Sequence, residues 1–256
     1  MDSSFLTINN EHLTLSESLT YLSNAGQFQR FTAEIVKEYF IEQELKTIEN
    51  IDIETIEQFI VDFRLEQKLF KPGVFQQWLS NNHLTYASFR KQVHIRLKKQ
   101  KLITQIAASK PSYFEENTSR FDTFILSRIV VKELEFAQNL KQQIENNADV
   151  DFYFNKIAKL HSIVDDKIIG GFMSPIIRQE IPDIVKPILD NTPEGQIIEP
   201  VEIDGRYCLL KIEKVIQAVL GGEIKQQLES EIFEQWIQEK INNAEIKLDF
   251  LEMLDN

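Results

Sequence analysis

Apolar residues recur at helical spacing along the first part of the chain. Ile35, Val36, Tyr39 and Phe40, with Leu45, mark one stripe in FTAEIVKEYFIEQEL. Ile56, Phe59, Ile60 and Phe63 mark another, and Phe89, Val93 and Leu97 follow one face of a long helix that runs to Ile106 and stops before Pro111. Thr14 and Glu17 have the spacing of a capping box, and Gly26 is a natural stop for the helix it opens. The turn Lys71 to Gly73 precedes a short segment that contains Trp78. Residues 1–117 therefore read as a helical lobe.

The pattern changes over residues 118–217. FDTFILSRIVVK is rich in β-branched and aromatic residues and predicts a strand. ELEFAQNLKQQIEN places Ala137, Leu140 and Ile144 on one helical face, and a second helix is expected from Val150 to Leu160. A glycine-flanked short strand follows, then a helix near 180–190. QIIEPVEI and RYCLLKIEKVI predict two strands about an Asp204-Gly205 turn. This order predicts a small α+β unit with a mainly antiparallel sheet. Residues 221–256 return to helix, with a broad stripe of Leu228, Ile232, Phe233, Trp236, Ile237 and Ile241. Such a stripe needs covering, and the helical lobe has stripes of its own to cover. The expected architecture is an α+β unit inserted between a helical lobe and the C-terminal helix that completes it.

Composition narrows the function. The chain has 256 residues and a formal charge of −12, with 28 basic and 40 acidic residues. That balance disfavours nucleic acid and anionic lipid as partners. Lys and Arg crowd the long helix at Arg90, Lys91, Arg96, Lys98, Lys99 and Lys101. They form either a solvated face or a patch for RNA or an acidic protein, and no aromatic residues interleave them as a stacking platform requires. Cys208 is the single cysteine, so no internal disulfide can form. With no basic start, no signal-length apolar core and no membrane-length apolar run, the expected location is the cytoplasm, without membrane insertion. His12, His83, His94 and His161 lack metal-ligand spacing, and no cofactor signature is present, so neither metal nor cofactor is expected.

Gly170-Gly171, in IIGGFMSPIIRQEIP, raises a choice between a phosphate loop, a plain turn and a close backbone approach. The phosphate loop is excluded, because neither G-x-G-x-x-G nor G-x-x-x-x-G-K-[ST] spacing is present.

SRIVVKELEFAQNLKQQI, then HS, GG, IPDI and PEGQIIEPVEIDGRYCLLKIE, occur in an order that resembles a parvulin-type peptidyl-prolyl isomerase domain over 118–217. The flanking segments, 1–117 and 221–256, resemble the helical body of SurA-like chaperones. The whole is similar to cyanobacterial parvulin-like proteins that lack a signal peptide and are often encoded beside peptide exporters. The resemblance implies a foldase acting on proline-containing or unfolded polypeptide, with a polypeptide or precursor-peptide client and a peptide exporter as partners. It places the glycine pair beside the proline groove.

It also implies where the site lies and how it departs from the family. Arg128 and Cys208 stand where the family has its two facing histidines. Val164 stands at the family's acid position, with Asp165 and Asp166 beside it, and Asp165 joins Arg128 and Cys208 as a candidate catalytic residue. GGFMSP replaces GGDLGW. Phe172, Met173, Ile181 and Ile184 fall where the family lines its proline pocket, as candidate substrate-binding residues; each could equally be core. Arg128 requires a carboxylate partner, with Asp165 and Asp166 available. Two functions compete: an isomerase, and a catalytically degenerate module that holds polypeptide without turnover. A scaffold pairing through Trp78 or Trp236 is a third, less economical reading.

Overall fold

The computed structural model describes residues 4–248. It opens on a hairpin, β1 (Ser4–Ile8) and β2 (Glu11–Thr14), where the sequence predicts helix. Asn9 and Asn10 both take positive φ and close the turn, a conformation that asparagine tolerates better than most residues. The Thr14–Glu17 capping box forms and starts α1 (Leu15–Asn24). Four helices follow: α2 (Phe28–Leu45), α3 (Ile53–Glu66), α4 (Pro72–Asn81) and α5 (Tyr86–Ala108). A short α6 (Pro111–Asn117) leads to the strand β3 (Thr123–Val131), then α7 (Leu134–Glu145) and α8 (Val150–His161). The remaining elements are β4 (Ile176–Ile177), α9 (Lys186–Asp190), β5 (Val201–Ile203), β6 (Arg206–Ile216) and α10 (Gly222–Asn242).

These elements divide into two units. One holds the described residues up to Pro111 together with those from Glu229 onward. Its core has two clusters. Ile56 and Ile60 of α3, Phe75 and Leu79 of α4 and Phe89 and Val93 of α5 form the first, and Trp78 packs edge-on against Phe63 and Phe89. In the second, Phe233 and Ile237 of α10 meet Ile41 of α2 and Leu102 of α5, with Trp236 packed against the cluster. Both tryptophans thus contribute to packing within this unit. The basic residues of α5 are largely matched there. Arg90 pairs with Glu57 at 2.6 Å, Lys101 with Glu49 at 2.9 Å and Lys99 with Glu38 at 3.5 Å, while Arg96 lies over the Phe59 ring.

The other unit, Ser112–Leu228, is built on a four-stranded antiparallel sheet of order β4-β3-β6-β5. Alternation along β3 and β6 sends side chains to two faces. Ile129, Val131 and Leu209 pack under α7 and α8 with Ala137, Leu140, Ile144, Phe154 and Ala158. Leu126, Val130, Cys208, Leu210 and Ile212 pack on the other face with Ile181, Val185 and Leu189, which come from the α9 region. The expected helix near 180–190 is only α9, preceded by a single 3-10 turn at Arg178–Glu180. QIIEPVEI is strand only at β5, with Ile197 forming an isolated bridge to Lys211. No helix among the described residues is long and apolar enough to cross a membrane.

Candidate functional site

The segment from Ser162 to Met173 runs along the free edge of β3. Ile163 donates to the Val130 carbonyl at 3.0 Å, Arg128 donates to the Gly171 carbonyl at 2.7 Å and Met173 donates to the Leu126 carbonyl at 2.9 Å. The glycine pair makes this approach possible. Both residues have positive φ, and a Cβ on Gly171 would lie 2.2 Å from the Arg128 carbonyl oxygen. A Cβ on Gly170 would lie 1.8 Å from the Asn155 amide nitrogen. The pair therefore serves a close backbone approach in a left-handed conformation that only glycine adopts freely.

That edge carries a 3-10 turn, Asp165–Ile169, which sets Asp166 against the sheet. Arg128 pairs in register with Leu210, so it shares the α9 face of the sheet. Its Nε donates to Asp166 Oδ2 at 2.6 Å. The Arg128 side chain is 36% exposed and Asp166 15%. Asp166 Oδ1 is buried and has no hydrogen-bond partner among the described residues. Cys208 lies on the same face, opposite Val130, with 5% of its surface exposed. Burial pushes its thiol up to about 12; nearby Arg128 pulls the other way and Asp166 adds to the rise. A thiol so placed stays protonated at neutral pH and is neither nucleophile nor base.

The carboxylate that meets Arg128 is thus the second of the adjacent pair. Asp165 is exposed and makes no ion pair or side-chain hydrogen bond among the described residues. Arg128, Asp166 and Cys208 come together. The four apolar candidates do not line one surface. Ile181 is core, 4% exposed, and Met173 is half-buried against the same cluster. Ile184 stands out at 61% exposure. Phe172 bridges to Ser127 and so faces the opposite side of the sheet from Met173. Neighbouring residues of an extended segment point to opposite faces, a rule that already separates Phe172 from Met173 in the sequence.

No family model matches the chain, and no curated protein matches it. Solved structures do. The peptidylprolyl isomerase PrsA of Bacillus cereus is 17% identical, with 99% of each chain covered and a TM-score of 0.54. The chain has the PrsA fold. PrsA of Bacillus anthracis is 18% identical over 85% of this chain and 99% of that one, with a TM-score of 0.45. One of two structurally related SurA-like chaperones of Campylobacter jejuni is 16% identical over 96% and 100%, with a TM-score of 0.38. The shared PrsA fold comprises both an antiparallel sheet unit and a helical lobe.

The site's charged network on the other sheet face was absent from the sequence-based expectations. Lys211 Nζ lies 2.5 Å from Asp151 Oδ1 and 2.6 Å from Glu213 Oε2, and Ser127 Oγ donates to Glu213 Oε1 at 2.6 Å. Burial alone would push the Lys211 ammonium down, but its hydrogen bonds to Asp151 and Glu213 outweigh that and hold it above an ordinary lysine. The signal was present in RYCLLKIEKVI: a lysine at a core-facing position of a strand needs anionic partners.

Proposed function

We propose that the chain is a parvulin-type foldase that binds proline-containing or unfolded polypeptide and turns over X-Pro bonds weakly. What supports this is the PrsA fold, which extends over the length of both chains. Fold alone does not carry activity, so the turnover part rests on Arg128. Isomerisation needs no covalent step; a groove that favours the twisted amide over both planar forms suffices. Here the centre of the candidate groove is occupied by a guanidinium tied to Asp166, beside a protonated thiol. Neither group is set up to relay a proton. Arg128 still has donors left to anchor a peptide carbonyl, and Met173 and Ile184 offer apolar surface for a proline ring.

In this reading residues 118–217 are the isomerase-like domain, and 1–117 with 221–256 form the lobe that holds extended client. A precursor peptide as client, a peptide exporter as neighbour and the cytoplasm as compartment belong to the same proposal; cell fractionation tests the last. The direct test of binding is a titration of the full chain with a proline-containing peptide, followed at the amides of Arg128, Met173 and Ile184. Saturable shifts there, lost on Met173→Glu, support the reading. A peptide that leaves these amides unmoved contradicts it.

A further inference from the structure

On the helix side of the sheet, away from Arg128, lies a cavity of about 420 Å³ lined by Ser127, Asp151, Asn155, Phe172, Lys211 and Glu213. Two parts of the chain that build it, the bulged end of β6 and the glycine segment, depart from regular structure. β6 carries a bulge at Glu213, where its register with β3 shifts between Ile125 and Leu126, and Glu213 lies on the face that Ser127 and Lys211 share. Bulges of this kind re-aim a side chain and cluster beside functional sites. Gly170 leaves room for the Asn155 side chain, which a Cβ would displace. Phe172 keeps 44% of its surface exposed although it sits on a core-facing side of the sheet.

The charges lining the cavity do not cancel: two carboxylates face one ammonium. Glu213 accepts one bond at each oxygen, about half of a carboxylate's capacity. Asp151 is 80% exposed, with only Lys211 as its ion-pair partner among the described residues. The Asn155 amide makes no hydrogen bond among the described residues. An anion entering would meet Lys211 already neutralised and an uncompensated negative charge. A cation would find carboxylate acceptors, a free amide oxygen and the exposed ring of Phe172. The chain's charge of −12 favours cationic partners from a distance as well.

We propose that this cavity, bounded by Asp151, Asn155, Phe172 and Glu213, is a second binding site that takes the basic side chain of an extended polypeptide. The occupant follows from the polypeptide-binding reading above; the cavity's preference for a cation does not.

The test is a titration of the full chain with acetyl-Gly-Arg-Gly-amide, followed at the amides of Ser127, Asn155, Phe172 and Lys211. The probe holds no proline, so it reports on this cavity and leaves the foldase reading to its own experiment. Saturable shifts are expected. Asp151→Asn, a change at an exposed position, should weaken binding about tenfold by removing a charge-assisted bond. Asn155→Leu gives an independent second variant, should Asp151→Asn fail to fold. Equal or tighter binding of acetyl-Gly-Glu-Gly-amide would overturn the proposal in favour of an anion held by Lys211. Putrescine binding as tightly as the peptide would overturn it in favour of a free diamine. No shift at millimolar arginine peptide, or unchanged affinity in the folded variants, would also overturn it.

Discussion

Arg128 and Lys211 are ion-paired cations on opposite faces of the second unit's sheet, and the two are accommodated differently. On the α9 face Arg128 has a single carboxylate partner, is 36% exposed and leaves one oxygen of that partner unsatisfied. On the helix face the Lys211 side chain is 3% exposed and is held by two carboxylates, one of them further braced by Ser127. A deeply buried charge is tolerable only with such a shell, because losing one partner strands the rest. The Arg128 guanidinium, a third exposed, can turn to water when its pair opens, so that pair is held less firmly. Lys211 is therefore fixed by the fold, whereas Arg128 is free to exchange its partner for a ligand.

The largest effect should come from the element on which both faces depend. Gly171→Ala puts a Cβ against the Arg128 carbonyl at φ +83°. It should destabilise the second unit by about 3 kcal/mol, read as a lowered melting transition. A near-neutral result would mean that the edge segment is not held to β3 as described. Next, Lys211→Met should cost about 2 kcal/mol by leaving the half-buried Glu213 without its cation. The cost falls below that of a fully buried pair because Glu213 keeps 27% of its side chain exposed. Asp166→Asn should cost about 1 kcal/mol or less. If Asp166→Asn proved costlier than Lys211→Met in thermal denaturation, the contrast between the faces would be reversed.

The smallest effect at neutral pH concerns Cys208. Its folded-state thiol, at about 12, lies above the ordinary value near 9. The unfolded chain therefore loses this proton first as pH rises, and native stability declines from about pH 9 upward through the folded value. Tyr86 and Tyr207, both raised, act in the same direction. Cys208→Ala should flatten that decline, measured as melting temperature against pH. The native chain should also resist iodoacetamide at mildly alkaline pH and react only when unfolded.

Much of this was legible in the sequence, for identifiable reasons. Helices with long apolar stripes, such as α3 and α5, were readable because the period repeats over several turns. The strands β3 and β6 were readable from β-branched runs and the Asp204-Gly205 turn, where both residues take positive φ. The β1–β2 hairpin departs from the helical expectation although Asn9-Asn10 is a turn signal, because its strands are only five and four residues long and largely exposed, so they carry no alternating apolar pattern. At the site, Arg128 and Cys208 were found through the family resemblance. The choice of Asp166 over Asp165 depends on the phase of a single 3-10 turn, which no local pattern sets. Phe172 and Ile181 were misplaced as walls of one groove because a list of apolar residues carries no facing information; strand alternation and burial supply it.

Polypeptide binding and weak isomerisation can be separated in a single measurement. Two-dimensional exchange NMR on a proline-containing peptide tests both parts together. With the chain in excess, peptide resonances should shift and broaden. With a catalytic amount, the exchange rate should stay close to the uncatalysed rate, which corresponds to tens to hundreds of seconds, and replacing Arg128 and Cys208 by histidine should raise it. Rapid exchange catalysed by the unaltered chain, or peptide resonances indifferent to excess chain, would contradict the account.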